Sequence, residues 1–294
     1  MPDNKSPDDL RSRYKAIKEE RQRRIDEHKR SIAARPATAT NLNILADGDS
    51  WFKYPLSMDV IDFVRQDGNP NSQILNLAVA GDPTTATLGV SKRQDIINNL
   101  KDSENGNFDA LLFSGGGDDV VGDQFCLWVT QNDGSGNGVN AQAFSDIMGV
   151  VETAYTDLFQ VCKSYQPNCK IFIHSYDFAR PTGVGVCPDI ITGGYLVGPW
   201  LKPSLDYRGW TNFISASGVV ATVLKQFDTL MGNLEKQYST QVVYVRTQGT
   251  LVPPNSTTDT TSDWANELHP TEPGFEKIAQ KFLDTMRPLF PGRI

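Results

Sequence analysis

"ILADGDSWFKYP", residues 44–55, starts as an apolar run and breaks on acid, glycine, acid, serine. Ile44-Leu45-Ala46 reads as a buried strand, and Asp47-Gly48-Asp49-Ser50 as the turn that ends it. In an α/β protein the carboxyl end of a strand is where ligands and reacting groups gather. The turn offers two kinds of reagent, a carboxylate from Asp47 and a hydroxyl from Ser50.

Outward from this strand the chain alternates. Apolar runs predict strands over 42–46, 73–79, 110–113, 170–174 and 242–245. Segments of helical periodicity predict helices over 57–67, 92–102, 141–165, 212–238 and 272–288. Such alternation indicates an α/β fold of three layers, a parallel sheet with helices on both faces. Residues 178–211, rich in Gly, Pro and aromatics, read as a long loop; Tyr195, Trp200, Leu201 and Trp210 favour a lip folded over the site. Upstream, Ser6-Pro7-Asp8-Asp9 has the features of a helix start. The helix runs to about Ala34 with a thin stripe of Leu10, Tyr14, Ile17, Ile25 and Ile32. Arg21 and His28 interrupt that stripe, so it reads as a solvated helix laid against the main domain rather than a dimerisation seam. The expected division is a charged helical extension over 1–40 and an α/β domain over 41–294.

The 294 residues are 39% hydrophobic and 21% charged, ordinary for a globular chain with a sizeable core. The net charge is −7, yet residues 1–35 hold 11 Lys and Arg against 7 Asp and Glu. The main body is therefore acidic, which argues against nucleic acid as a partner. No run spans a bilayer, and residues 1–20 lack the apolar stretch of a secretory signal, so the expected compartment is the cytoplasm. Composition fixes no oligomeric state. Cys126, Cys162, Cys169 and Cys187 lack the paired spacing of a zinc site. Free buried thiols are expected, with Cys162–Cys169 as the pair to watch for a disulfide.

Two readings of the opening stretch compete. An apolar strand followed by Asp-x-Asp resembles the haloacid-dehalogenase-like phosphatases. Asp47 would then attack phosphorus, with Asp118 and Asp123 holding Mg²⁺; the C-terminal half of the chain is left without a purpose. The other reading makes Ser50 the nucleophile, which needs a neighbouring base. There are three histidines. His28 lies in the charged helix. His174 ends a predicted strand in IFIHSYDF, beside Tyr176 and Asp177, as a satisfied polar strand end or a substrate contact. His269 precedes Pro270 and the helix signature Thr271-Glu272-Pro273, so it sits on a rigid loop.

GDSW (48–51), NLAVAGDPTT (76–85), SGGGDD (114–119) and HPTEPGF (269–275) stand in the order and spacing of the SGNH (GDSL-type) hydrolases. The chain resembles that family over roughly residues 41–290. The resemblance implies a flavodoxin-like five-stranded parallel sheet, a carboxylic ester substrate, and no metal or organic cofactor. Ser50 matches the nucleophile and one oxyanion donor, Gly81 the second donor, and His269 the general base. Two positions depart from the pattern. Asp118 stands where the family's Gly-x-Asn-Asp block has an Asn donor. An ionised carboxylate there repels an oxyanion; a protonated one, which burial favours, donates to it. Asn266 stands three residues before His269, where the family usually has Asp. It can accept the imidazole N–H but brings no charge, and Asp263 or Glu267 are the alternatives. Trp51, Tyr176 and Trp200 are the candidate substrate-binding side chains, and Asp49 reads as a turn acid. The expected function is an esterase acting through Ser50 and His269. A Mg²⁺-dependent phosphatase and a catalytically degenerate binding protein on the same scaffold remain open.

Overall fold

The computed structural model describes residues 7–36, 39–80, 90–134, 136–189 and 194–294. Its strands are β1 (Asn43–Gly48), β2 (Gln73–Asn76), β3 (Ala110–Ser114), β4 (Lys170–His174), β5 (Val186–Asp189), β6 (Gly194–Val197) and β7 (Val242–Val245). Five of them form an all-parallel sheet in the order β2-β1-β3-β4-β7. Every residue of β1 is buried. A strand paired on both edges and covered on both faces has no polar side, which is why a continuous apolar run marks it.

The helices are α1 (Pro7–Ala33), α2 (Val60–Asp67), α3 (Val90–Lys101), α4 (Gly117–Val121), α5 (Ala141–Tyr165), α6 (Leu201–Tyr207), α7 (Phe213–Gln237) and α8 (Glu272–Met286). α2 packs against α8 on one face of the sheet, while α5 meets α3 and α7 on the other, completing the three expected layers. Local chemistry starts α5, α7 and α8 within a residue of where the sequence places them, and starts α2 three residues later than the expected 57. Asn140 caps α5, Asn212 caps α7, Asp59 and Asp62 form a capping box on α2, and Thr271 caps α8. The ends of β1 and β3 come level through the pair Gly48–Ser114. Gly48 has φ +143°, and a Cβ there would lie 2.0 Å from the Ser114 carbonyl oxygen, so only glycine lets the two strands meet at the turn.

Two regions differ from the sequence expectation. Residues 178–211 are not one irregular loop: β5 and β6 form an antiparallel hairpin, and α6 follows. The hairpin strands have four residues each, and β6 is largely exposed, so no apolar alternation betrays them. In α1, the residues that break the apolar stripe are the ones that dock it. Arg21, 8% exposed, donates from Nη2 to the Leu77 carbonyl at 2.8 Å and from Nη1 to Asp95 at 2.9 Å. Arg24 donates to the Asn76 carbonyl at 2.7 Å, and His28 stacks on Phe108. β2 is an edge strand, and these cations meet carbonyl oxygens at its end. The expected cap Ser6 and the side chains of Leu10 and Tyr14 lie outside the described residues. All four cysteines are free; Cys162 and Cys169 are buried without a bond between them.

Candidate active site

The turn after β1 is tied down before it reaches Ser50. The Asp49 N–H donates to the Ser114 carbonyl at 3.0 Å, and the Asp49 carboxylate accepts the Trp51 N–H at 3.0 Å. That is the turn-acid geometry, but the carboxylate does more. It also receives the Ser114 hydroxyl at 2.8 Å and the Tyr176 hydroxyl. Burial raises the Asp49 carboxyl above the ordinary range, while these donors oppose the shift. Asp47 points elsewhere: it is 1% exposed, accepts the Gly48 N–H, and lies 3.6 Å from the Arg21 guanidinium.

Ser50 Oγ lies 2.8 Å from His269 Nε2, across 219 positions of chain. On the other side of the ring, Nδ1 lies 2.8 Å from Asn266 Oδ1. The amide orientation is fixed, because Oδ1 also accepts the backbone N–H groups of Leu268 at 3.0 Å and His269 at 2.9 Å, while Nδ2 donates to the Tyr54 hydroxyl. Oδ1 is thus an acceptor, Nδ1 carries the proton, and Nε2 is left with its lone pair towards Ser50. Tyr54 stacks on the imidazole at 4.7 Å, and Trp200 meets it edge-on at 5.7 Å. Burial lowers the His269 pKa to about 4, so the imidazole is neutral through the mildly acidic range.

The structure places the other candidates for orienting the imidazole elsewhere. Asp263 pairs with Lys277 Nζ at 2.7 Å and accepts the Val252 N–H, so both its oxygens serve the outside of the loop. Glu267 is fully buried and accepts four backbone N–H groups, from Gly183, Trp200, Leu201 and Lys202. It therefore fastens the lip to the His269 loop. Neither that role nor the ring contact of Tyr54 is apparent in the sequence, since the partners lie far away in the chain.

Ser50 and His269 open into a cavity of about 540 Å³, lined also by Tyr54, Asp118, Val197 and Trp200. Trp51 and Tyr176 are buried and line a smaller recess with Ser50 and Asp118 instead. The Trp51 indole donates to the Leu268 carbonyl at 2.9 Å, bracing the His269 loop against the Ser50 turn. Asp118 is half-buried at the first turn of α4. Its Oδ2 is sealed from solvent and has no hydrogen-bond partner among the described residues. Burial, reinforced by Asp49, Asp119 and Asp123, pushes its carboxyl up to about 7. Gly81, the expected second oxyanion donor, lies outside the described residues; its neighbour Ala80 lines the cavity. His174 does not line it. It is fully buried, with Nδ1 donating to the Ser175 carbonyl and Nε2 at 2.9 Å from Ser114 Oγ.

Among solved structures, the chain is similar to the lipase Lip_vut3 from a goat rumen metagenome, with a TM-score of 0.52 and 13% identity over 83% of this chain and 97% of that one. It has the fold of that lipase. The fold expected from the SGNH resemblance is the fold observed. Weaker likenesses are to an extracellular lipase from Streptomyces rimosus (TM-score 0.49, 14% identity, 84% of this chain and 100% of that one) and a GDSL-like lipase from Bacteroides thetaiotaomicron (0.48, 10%, 92% and 98%). No family model matches the chain, and no curated protein matches it in sequence.

Proposed function

We propose that the protein is a serine hydrolase of carboxylic esters. Ser50 Oγ attacks the ester carbonyl carbon while its proton passes to His269 Nε2. The carbonyl π pair moves onto oxygen, then returns as the alcohol leaves with the proton from His269. Water repeats the sequence on the acyl-enzyme and frees Ser50. Asn266 holds Nδ1–H throughout, so the ring presents the same nitrogen in each half-reaction. Chain, substrate and water account for every proton and electron pair, and the scheme calls on no cofactor.

The observation that carries this reading is the 2.8 Å contact of Ser50 with an imidazole whose tautomer is locked, at the mouth of a substrate-sized cavity. A binding protein on a degenerate scaffold would need neither the contact nor the lock. The phosphatase reading would need Asp47 in the cavity, and Asp47 lies instead against Arg21. A fluorophosphonate probe tests the proposal. The expected adduct maps to Ser50. In Ser50→Ala, labelling and p-nitrophenyl acetate hydrolysis are lost while the circular dichroism spectrum is kept. An adduct at another residue, or full hydrolysis by the variant, overturns it.

A further inference from the structure

We propose that Asp118 acts as a neutral carboxylic acid, donating a hydrogen bond to the substrate oxygen that becomes negative as Ser50 attacks. The proposal rests on the Ser50–His269 reading and adds a catalytic residue to it. Asp118 lines the cavity together with Ser50 and His269, and the smaller recess together with Ser50. The pairing of Gly48 with Ser114 brings the segment leading into α4 level with the Ser50 turn. Asp118 Oδ2 is buried without a partner among the described residues. An ionised oxygen so placed lacks both water and donors, which is costly. A neutral carboxyl costs less to bury at Oδ2, and its hydroxyl, placed on the oxygen towards the cavity, needs only an acceptor, which an ester carbonyl supplies.

The charges around Asp118 point the same way. α4 contributes Asp119, the residues after it Asp123, and the β1 turn Asp49, all raising its carboxyl. Tyr176 is buried and keeps its phenol proton, which serves Asp49. From the last loop comes His269, an uncharged imidazole above about pH 4. No ion pair among the described residues includes Asp118. Carboxylates crowded in this way retain a proton between them to higher pH than isolated ones. During attack the acid lends a hydrogen bond and keeps its proton; the proton from Ser50 still goes to His269. The donor is present while Asp118 is protonated, and the base works while His269 is neutral. Activity is therefore confined between the two titrations, with an acidic optimum.

Profiles of kcat/KM against pH for p-nitrophenyl acetate test this on the wild type, Asp118→Asn and Asp118→Ala, each checked for folding by circular dichroism. The wild type is expected to fall about a hundredfold through neutrality, the worth of one oxyanion donor. Asp118→Asn, with a permanent amide donor, loses that falling limb and exceeds the wild type by at least about tenfold above neutrality. Asp118→Ala is about a hundredfold slower at acid pH and also lacks the limb. A falling limb retained in Asp118→Asn, or wild-type rates in Asp118→Ala at acid pH, overturns the proposal. Infrared difference spectra of the folded wild type against Asp118→Asn give a readout independent of rate: a protonated carboxyl band at about pH 5.5 that the variant lacks. Its absence also overturns the proposal. Failure of the wild type to label at Ser50 would instead sink the serine–histidine reading.

Discussion

His174 and His269 are both buried, and burial lowers both to a pKa of about 4. Their surroundings differ. His174 ends a sheet strand and packs among Trp51, Phe52, Tyr176 and Phe282, and its ring nitrogens meet Ser114 Oγ and the Ser175 carbonyl. His269 stands on a loop, is held by Asn266 on one nitrogen, and offers the other to a serine that lines the cavity. Desolvation alone therefore does not distinguish the two imidazoles. What separates the two is whether the free nitrogen faces a group that substrate can reach.

The sharpest way to break this comparison is to truncate each ring. His269→Ala removes the proposed base and is expected to lower kcat/KM by at least about a thousandfold with little change in melting temperature. His174→Ala opens a cavity between Phe52 and Tyr176 and strands the Ser114 hydroxyl contact. It is expected to cost about 2–4 kcal/mol of stability, while the folded fraction keeps its activity within about tenfold. Urea unfolding and steady-state kinetics on both variants check this. Activity lost in His174→Ala and kept in His269→Ala would reverse the assignment.

A smaller effect tests what holds His269. Asn266→Ala frees Nδ1 and two backbone N–H groups and is expected to lower kcat about a hundredfold. Asn266→Asp keeps the acceptor and adds a negative charge beside the ring. A carboxylate favours the imidazolium, so the His269 pKa rises from about 4. The base is then protonated at higher pH, and the acid limb of the pH–rate profile moves upward. An acid limb unmoved in Asn266→Asp would mean that residue 266 does not touch the ring.

What was legible in the sequence follows the same division between local and distant causes. The sheet was legible because strands buried on both faces are continuous apolar runs, as in Ile44–Ala46 and Ile171–Ile173. Ser50 and His269 were legible because each sits where an element ends or begins, next to turn or capping residues. The β5–β6 hairpin was not, because short exposed strands carry no period. Glu267 was not, because its four donors come from residues 183–202 and only folding brings them to it. Arg21 looks like a flaw in a helical stripe until the end of β2 is placed against it, and His28 until Phe108 is.

His28 gives the mildest test, because it matches His174 in burial and has no place in the proposed chemistry. It is 5% exposed, stacks on Phe108 with ring centroids 5.7 Å apart, and leaves Nε2 without a partner among the described residues. Burial lowers its pKa from 6.5 to about 4, against a hydrogen bond with the Asn105 backbone that raises it. In the unfolded chain the ring takes up a proton as pH falls through 6.5; in the folded chain it does so only near 4. The unfolded state thus binds more protons in that window, and stability is intact above it and lost as pH falls through it. The loss amounts to at most about 3 kcal/mol for one such group. His28→Phe keeps the stack and removes the titration. Melting temperature against pH should therefore fall less steeply between about 6.5 and 4 in the variant, while the pH–rate profile near neutrality stays as it is. Equal slopes in the two proteins would mean that α1 does not hold His28 buried in solution.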